Sequence, residues 1–444
     1  MVVLIGLATY KADGIKENTM GIRTKFNPMG GRIKNGSSPS GDKDYGPFCF
    51  RIDTSNSNPT TAVTYMGNNA DYTPATMNFS TGTLDYGSWE NAFFQPRPVM
   101  LKYDGTVDYE LDHNDFTKKL DGSASDVSNT SYGGNCMIAF PQVWLKFETS
   151  GNYQYVYVAS EKLDNNYRCY SHYNNNGVLL DEIYVMAYEP SNISNKLRSL
   201  AGQTILYNLS GVTMRTYAQA NGNGWDFLDL GTLQLIQMLF ILMFKSRNSQ
   251  ATAGAGVVNS SKSHTAYPTT GDTKDKGMFY SLCNDPNSAN ATTPIKTFGI
   301  ENLWGSRYKW INGLKSYQTT IYYKLCNYTT DGTTQAGYTP TTSDGGYKSY
   351  TRSSNTTTYN LEMPNTSDGL MWYWTGATGS NPTYYCDQMY FSPSTSSSNV
   401  GCARFGGRYN DGARAGFFCV NLSCNNPLSD SGSSYGASLS CKPL

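Results

Sequence analysis

The chain has 444 residues, enough for a substantial core and for two or three domains. Basic and acidic side chains balance at 34 each, which removes the electrostatic case for nucleic acid or an anionic membrane as partner. Charged residues make up only 15% and aromatics 14%, with 35 tyrosines, so surface polarity must come from Asn, Ser, Thr, Gly and Tyr.

That composition fits a surface built to bind other surfaces, because Tyr offers contact area at low entropic cost and small polar residues adapt. It equally fits a β-rich protein with Tyr on half-exposed strands. In chain order, residues 1–48 hold few core residues and read as an arm that docks onto a neighbour. The opening "MVVLIGLATYKADG" lacks a basic leader and a cleavage site, so a signal peptide is not expected. Residues 49–160 read as a β-rich domain, with "CFRID", "TAVTYM", "PVMLKYDGTVDYEL", "NCMIAFPQVWLKFET" and the alternating "GNYQYVYVAS". A Tyr-Asp-Gly turn inside "KYDGTVDYEL" predicts a hairpin.

Residues 161–444 change character. "SNISNKLRSLAG", from Ser191 to Gly202, predicts a short helix, and "TMRTYAQANGNGW" predicts a second with Thr213 as cap and Gly222 as stop. "LQLIQMLFILMF", Leu233 to Phe244, is apolar nearly all round and too short to span a bilayer, so it predicts a buried helix and no membrane insertion. Short strands and long polar loops follow, including Thr330 to Asn360. The expected class is α+β.

Ten cysteines form no CxxC pair, and three histidines are too few for a zinc site; free, mostly buried thiols are expected. His113, His172 and His264 read as solvated loop residues. Asp108, Glu110, Asp112 and Asp115 offer carboxylates, but "DHNDF" reads better as a turn and helix cap. No nucleophile–base arrangement or phosphate loop stands out, so neither an enzyme nor a cofactor is expected. "WGSRYKW", Trp304 to Trp310, reads as a core strand ahead of a sugar-stacking platform. In "MWYWTG", Trp372 and Trp374 share one strand face and Tyr373 takes the other.

The C-terminal "GGRYNDGARAGFFCVNLSCNNPLSDSGSSYGASLS" combines an apolar beat with loose polar residues. Together with "TMRTYAQANGNGWDFLDLGTLQLIQMLFILMFKSRNSQ" and "FGIENLWGSRYKWINGL" in the same order, it resembles a group of tailed-phage and prophage proteins. That group carries a C-terminal C-type-lectin-like domain, related to formylglycine-generating enzymes, of the type found in variable proteins of diversity-generating retroelements. The resemblance runs from about residue 49 onward and is weaker upstream. It implies a β-rich domain followed by a C-type-lectin-like domain with short strands, long loops and two or three helices.

The resemblance also implies a division of labour. Gly406, Gly407, Tyr409, Gly412, Ala415, Gly416 and Phe418 match scaffold positions. Arg408, Asn410, Asp411, Ala413, Arg414, Phe417, Cys419, Asn421 and Ser423 match displayed positions. Tyr384, Tyr385 and Asp387, with Trp372 and Trp374, complete the expected ligand surface. The implied function is a phage tail receptor-binding protein in the virion, assembled in the bacterial cytoplasm. Its implied partners are a host cell-surface protein or glycan, other tail proteins through the N-terminal arm, and copies of itself, as a trimer. The alternatives are a glycan-degrading tail enzyme and a purely structural tail or head-decoration protein. Glu189-Pro190-Ser191 and Trp310-Ile311-Asn312 fall short of the calcium-lectin motifs, so no metal is expected.

Overall fold

The computed structural model describes residues 43–259, 269–326, 348–351, 380–396 and 400–444. These residues are rich in strand and poor in helix, an α+β architecture. Most of the expected arm, His264, Trp372, Trp374 and most of the Thr330–Asn360 loop lie outside the described residues.

A four-stranded antiparallel sheet runs in the order Val63–Met66, Phe48–Asp53, Tyr153–Ala159, Trp144–Ser150. Its strands follow from alternation. Phe48, Phe50, Ile52, Val156 and Val158 point inward and are buried, while Arg51, Tyr153, Tyr155 and Tyr157 stay half-buried on the outer face. Arg51 lies 4.4 Å from the Tyr153 ring centroid, and Lys146 lies 4.6 Å from that of Tyr157.

A six-stranded antiparallel sheet is ordered Trp225–Asp226, Ser440–Cys441, Glu182–Met186, Gly134–Pro141, Arg97–Lys102, Val107–Glu110. The last two strands form the expected hairpin around Asp104 and Gly105. No gap in the core marks the boundary expected at residue 160. Gly134–Pro141 pairs directly with Glu182–Met186, and one hydrophobic cluster runs from Phe48 to Cys441.

The third sheet is ordered Lys348–Thr351, Thr320–Tyr323, Tyr308–Tyr317, Val400–Phe405, Val420–Ser423, Met389–Ser392, with Tyr435–Ala437 parallel to Tyr308–Tyr317. Trp304 and Trp310 are fully buried, but of the expected core strand only Tyr308–Trp310 is strand, and Trp304–Arg307 is a bend.

Three α-helices occur among the described residues: α1 (Gly211–Gln219), α2 (Leu230–Phe244) and α3 (Ser249–Ala253). Every residue of α2 is buried, so its apolar run is satisfied on all sides. The Asp229 carboxylate caps it by accepting from the Thr232 amide at 2.8 Å, and Lys442 pairs with the other Asp229 oxygen. Gly231 is required in the first turn, because a Cβ there would stand 2.1 Å from the Leu325 carbonyl oxygen. Phe240 of α2 packs against Trp304, Phe417 and Phe418 with ring centroids 6.1, 5.9 and 6.3 Å away. Each such buried aromatic contributes about 1.5–3 kcal/mol.

Four expectations are corrected. Ser191–Ile193 and Lys196–Arg198 form a hairpin, not a helix; Ser194 and Asn195 both take positive φ, and Asn192 accepts from the Asn195 amide at 3.0 Å. The cap of α1 is Ser210, whose hydroxyl accepts from the Thr213 amide at 3.1 Å, so Thr213 lies inside the helix. His172 is fully buried, with Nδ1 at 2.8 Å from the Ser171 hydroxyl and Nε2 at 3.3 Å from the Phe140 carbonyl, and burial pushes its pKa down to about 3. Asp112 and Asp115 each close a turn, onto the amides of Asn114 and Thr117, and cap no helix.

Candidate ligand-binding surface

The C-terminal segment is anchored from below. Phe417 is stacked on Trp304 with centroids 5.7 Å apart. Its carbonyl accepts from the Gln237 side chain of α2 at 2.7 Å, and its amide donates to the Ser249 hydroxyl at 2.9 Å. Phe418 packs on Tyr385 at 5.2 Å, and its amide donates to Asp387 at 2.7 Å. Ala415, Phe417, Phe418 and Cys419 are all buried.

Above this base, residues 408–414 form a turn organised by one side chain. The Asp411 carboxylate is buried, accepts from the Arg408 amide at 3.2 Å and pairs with the Arg408 Nε at 3.1 Å. Arg414 reaches the same carboxylate at 3.7 Å, and its Nε donates to the Asp411 carbonyl at 3.3 Å. Arg408 also donates to the Ser434 hydroxyl at 3.2 Å, a partner that no local pattern singles out. Two guanidiniums therefore share one carboxylate, and the turn presents net positive charge. Arg414 and Arg408 keep 50% and 37% of their side chains exposed, Asn410 is exposed and Ala413 is half-buried.

The structure thus brings Arg408, Asn410, Ala413 and Arg414 together on one surface turn. It withdraws Asp411, Phe417, Cys419, Ser423, Tyr385 and Asp387 from display, since all six are buried. The reason is that Val420–Ser423 lies between Val400–Phe405 and Met389–Ser392, and residues 415–419 lie on α2, so alternation leads from one buried face to another. Asn421 is half-buried and accepts from Arg404 at 3.2 Å. The Arg404 guanidinium is itself buried, 4.0 Å from the Tyr435 ring centroid and 4.8 Å from that of Trp310. Tyr384 is half-buried, its amide donating to the Ser57 carbonyl at 2.7 Å, which ties it to the N-terminal sheet.

Asp387 is the most unusual group here. It is fully buried, burial raises its pKa well above the ordinary carboxylate range, and the hydrogen bonds from Phe418 and Ser249 offset this only in part. The Cys419 thiol is likewise pushed up, chiefly by burial, which disfavours the thiolate form. Glu189 pairs with buried Lys309 at 3.3 Å and accepts from Asn302 at 3.1 Å, so its oxygens serve protein partners. Among the described residues, no group of three or more His, Cys, Asp and Glu is placed to hold a metal ion. No helix among them is long and apolar enough to cross a membrane.

Comparison with protein-family models and with curated proteins finds no match to this chain.

Proposed function

We propose that the chain is a non-enzymatic receptor-binding protein of a phage tail, with a C-type-lectin-like C-terminal region that presents residues 408–414 to a host-surface protein or glycan. The observation that carries this reading is the contrast within one short segment. Arg408, Asn410 and Arg414 are solvent-facing and chemically varied, while the residues directly beneath them are locked by α2, Trp304 and Asp411. A rigid base under adaptable side chains lowers the ordering cost of binding. The sequence resemblance supplies the phage-tail setting, the virion location and the trimer. A symmetric trimer would multiply weak single contacts.

The test is binding of the purified protein to cells and isolated envelope polysaccharide of bacterial hosts. Wild type is expected to bind saturably, and a variant with Asn410 and Arg414 changed to Ala, which keeps the Arg408–Asp411 pair, is expected to melt normally and lose binding. Retained binding would place the site elsewhere. Release of glycan fragments with turnover would replace the adhesin reading with a hydrolase.

A further inference from the structure

An amine, a carboxylate and a carboxamide meet in the core, on Lys309, Glu189 and Asn302. Asn302 and Lys309 are fully buried, and Glu189 nearly so. The Glu189 carboxylate bridges the two nitrogens. Its Oε1 lies 3.3 Å from Lys309 Nζ, and its Oε2 accepts from Asn302 Nδ2 at 3.1 Å. The surrounding backbone fixes each group. Glu189 lies just past strand Glu182–Met186, and the Glu301 amide donates to the Ala187 carbonyl at 2.8 Å, which brings Asn302 to that strand end. Asn302 takes a φ of 49°; its amide donates to the Ile295 carbonyl at 2.9 Å, and its Oδ1 accepts from the Ile295 amide at 3.4 Å. Lys309 lies on the central strand Tyr308–Tyr317, opposite Phe405 and Gly436, and its Nζ also donates to the carbonyls of Gly305 at 3.2 Å and Arg307 at 3.1 Å.

We propose that Lys309 and Asn302 join in an intramolecular isopeptide bond, with Glu189 carrying the protons. Lys309 gives one proton to Glu189. Its two remaining N–H groups donate to the Gly305 and Arg307 carbonyls, so the freed lone pair faces the side of Glu189, where Asn302 is held. Burial pushes the Lys309 amine below the ordinary lysine value, and the Glu189 carboxylate offsets this only in part, so the neutral amine is within reach. The Ile295 amide polarises the Asn302 carbonyl and steadies the charge that grows on Oδ1. Nζ then bonds to Cγ. Glu189 passes its proton to Nδ2 and takes the second from Nζ, and Nδ2 leaves with the electron pair of its bond to Cγ. The ammonium of Lys309 and the carboxamide of Asn302 become one secondary amide and one ammonium ion. No oxidant or co-reactant is needed, and burial keeps out the water that would otherwise compete for Cγ.

The test is mass spectrometry of the full chain, folded, then denatured. Wild type should weigh about 17 Da less than its sequence, the mass of one ammonia. A tryptic digest should contain peptide Thr297–Arg307 joined to Tyr308–Lys315, with no cleavage after Lys309. Lys309→Arg should keep its ammonia and yield no joined peptide. Glu189→Gln retains the shape of the site without its proton carrier, and the joined peptide should be absent or form far more slowly. Wild type at full sequence mass, with the two peptides separate, would overturn the proposal whether or not either variant folds. So would an ammonia loss that persists in Lys309→Arg, since an asparagine cyclising onto its own backbone loses the same mass. A folded Glu189→Gln chain that joins as completely as wild type would remove Glu189 from the reaction and overturn the mechanism.

Discussion

The Asp387 carboxylate accepts the Phe418 amide at 2.7 Å while occupying the space that a side chain on Gly416 would need. A Cβ on Gly416 would stand 2.1 Å from Asp387 Oδ1, and the Gly416 φ of 146° already disfavours any other residue. Gly416→Ala should therefore cost at least about 3 kcal/mol in urea unfolding. Adding Asp387→Ala to it should recover part of that loss. Strictly additive losses in the double variant would show that the two positions do not compete for the same space.

Asp387 also sets a pH dependence. Its folded pKa lies above the 3.8 of an ordinary aspartate, so the folded chain holds a proton that the unfolded chain releases. Its contribution to stability is full below pH 3.8 and declines as the pH rises toward its folded pKa. Asp387→Asn keeps an acceptor for Phe418 without the charge. The variant should match or exceed wild type at pH 7, and its stability relative to wild type should increase from pH 4 to 7. A variant much weaker than wild type at pH 7 would mean that the ionised carboxylate is the form the fold uses.

His172 gives the opposite slope. Its folded pKa of about 3 lies below the ordinary 6.5, so the unfolded chain binds the extra proton. Stability is full above pH 6.5 and is lost as the pH falls toward 3, by up to about 1.4 kcal/mol per pH unit. His172→Gln should be less stable at neutral pH, because two buried hydrogen bonds are disturbed, yet lose less on acidification. Equal acid sensitivity in the variant and wild type would assign the acid loss to other groups.

The 408–414 turn should separate structure from display. Asp411→Ala removes the acceptor of the Arg408 amide and the shared ion-pair partner, and should destabilise by about 1–3 kcal/mol. Arg414→Ala, half exposed, should stay within about 0.5 kcal/mol of wild type. Thermal and urea melts of the two variants check this, and an Arg414→Ala loss equal to that of Asp411→Ala would make both residues structural.

All ten cysteines are free and buried. Folded protein should react slowly with a thiol reagent, and all ten thiols should titrate together on unfolding. Rapid labelling of one thiol in native buffer would expose a local opening of the fold.

Some of this protein was written in its local sequence. The alternation of Phe48, Phe50 and Ile52 with Arg51, the Asp104-Gly105 turn, and the unbroken apolar run of α2 each specify an element through neighbours a few residues away. The glycine and aromatic spine of residues 406–418 came from the family resemblance, and the space that Gly416 must leave free is set by Asp387, distant in sequence. Tertiary structure alone decided the rest. Phe417, Cys419 and Ser423 alternate with their neighbours just as a half-exposed strand would, yet they are buried because α2 covers one part and strands Val400–Phe405 and Met389–Ser392 flank the other. Asp387 looks like a display residue in the chain, and it became a buried acid only when the distant Ser249 and Phe418 closed over it. Periodicity reports that one face is apolar; whether the opposite face meets water depends on segments far away in sequence, whose arrival no local pattern encodes.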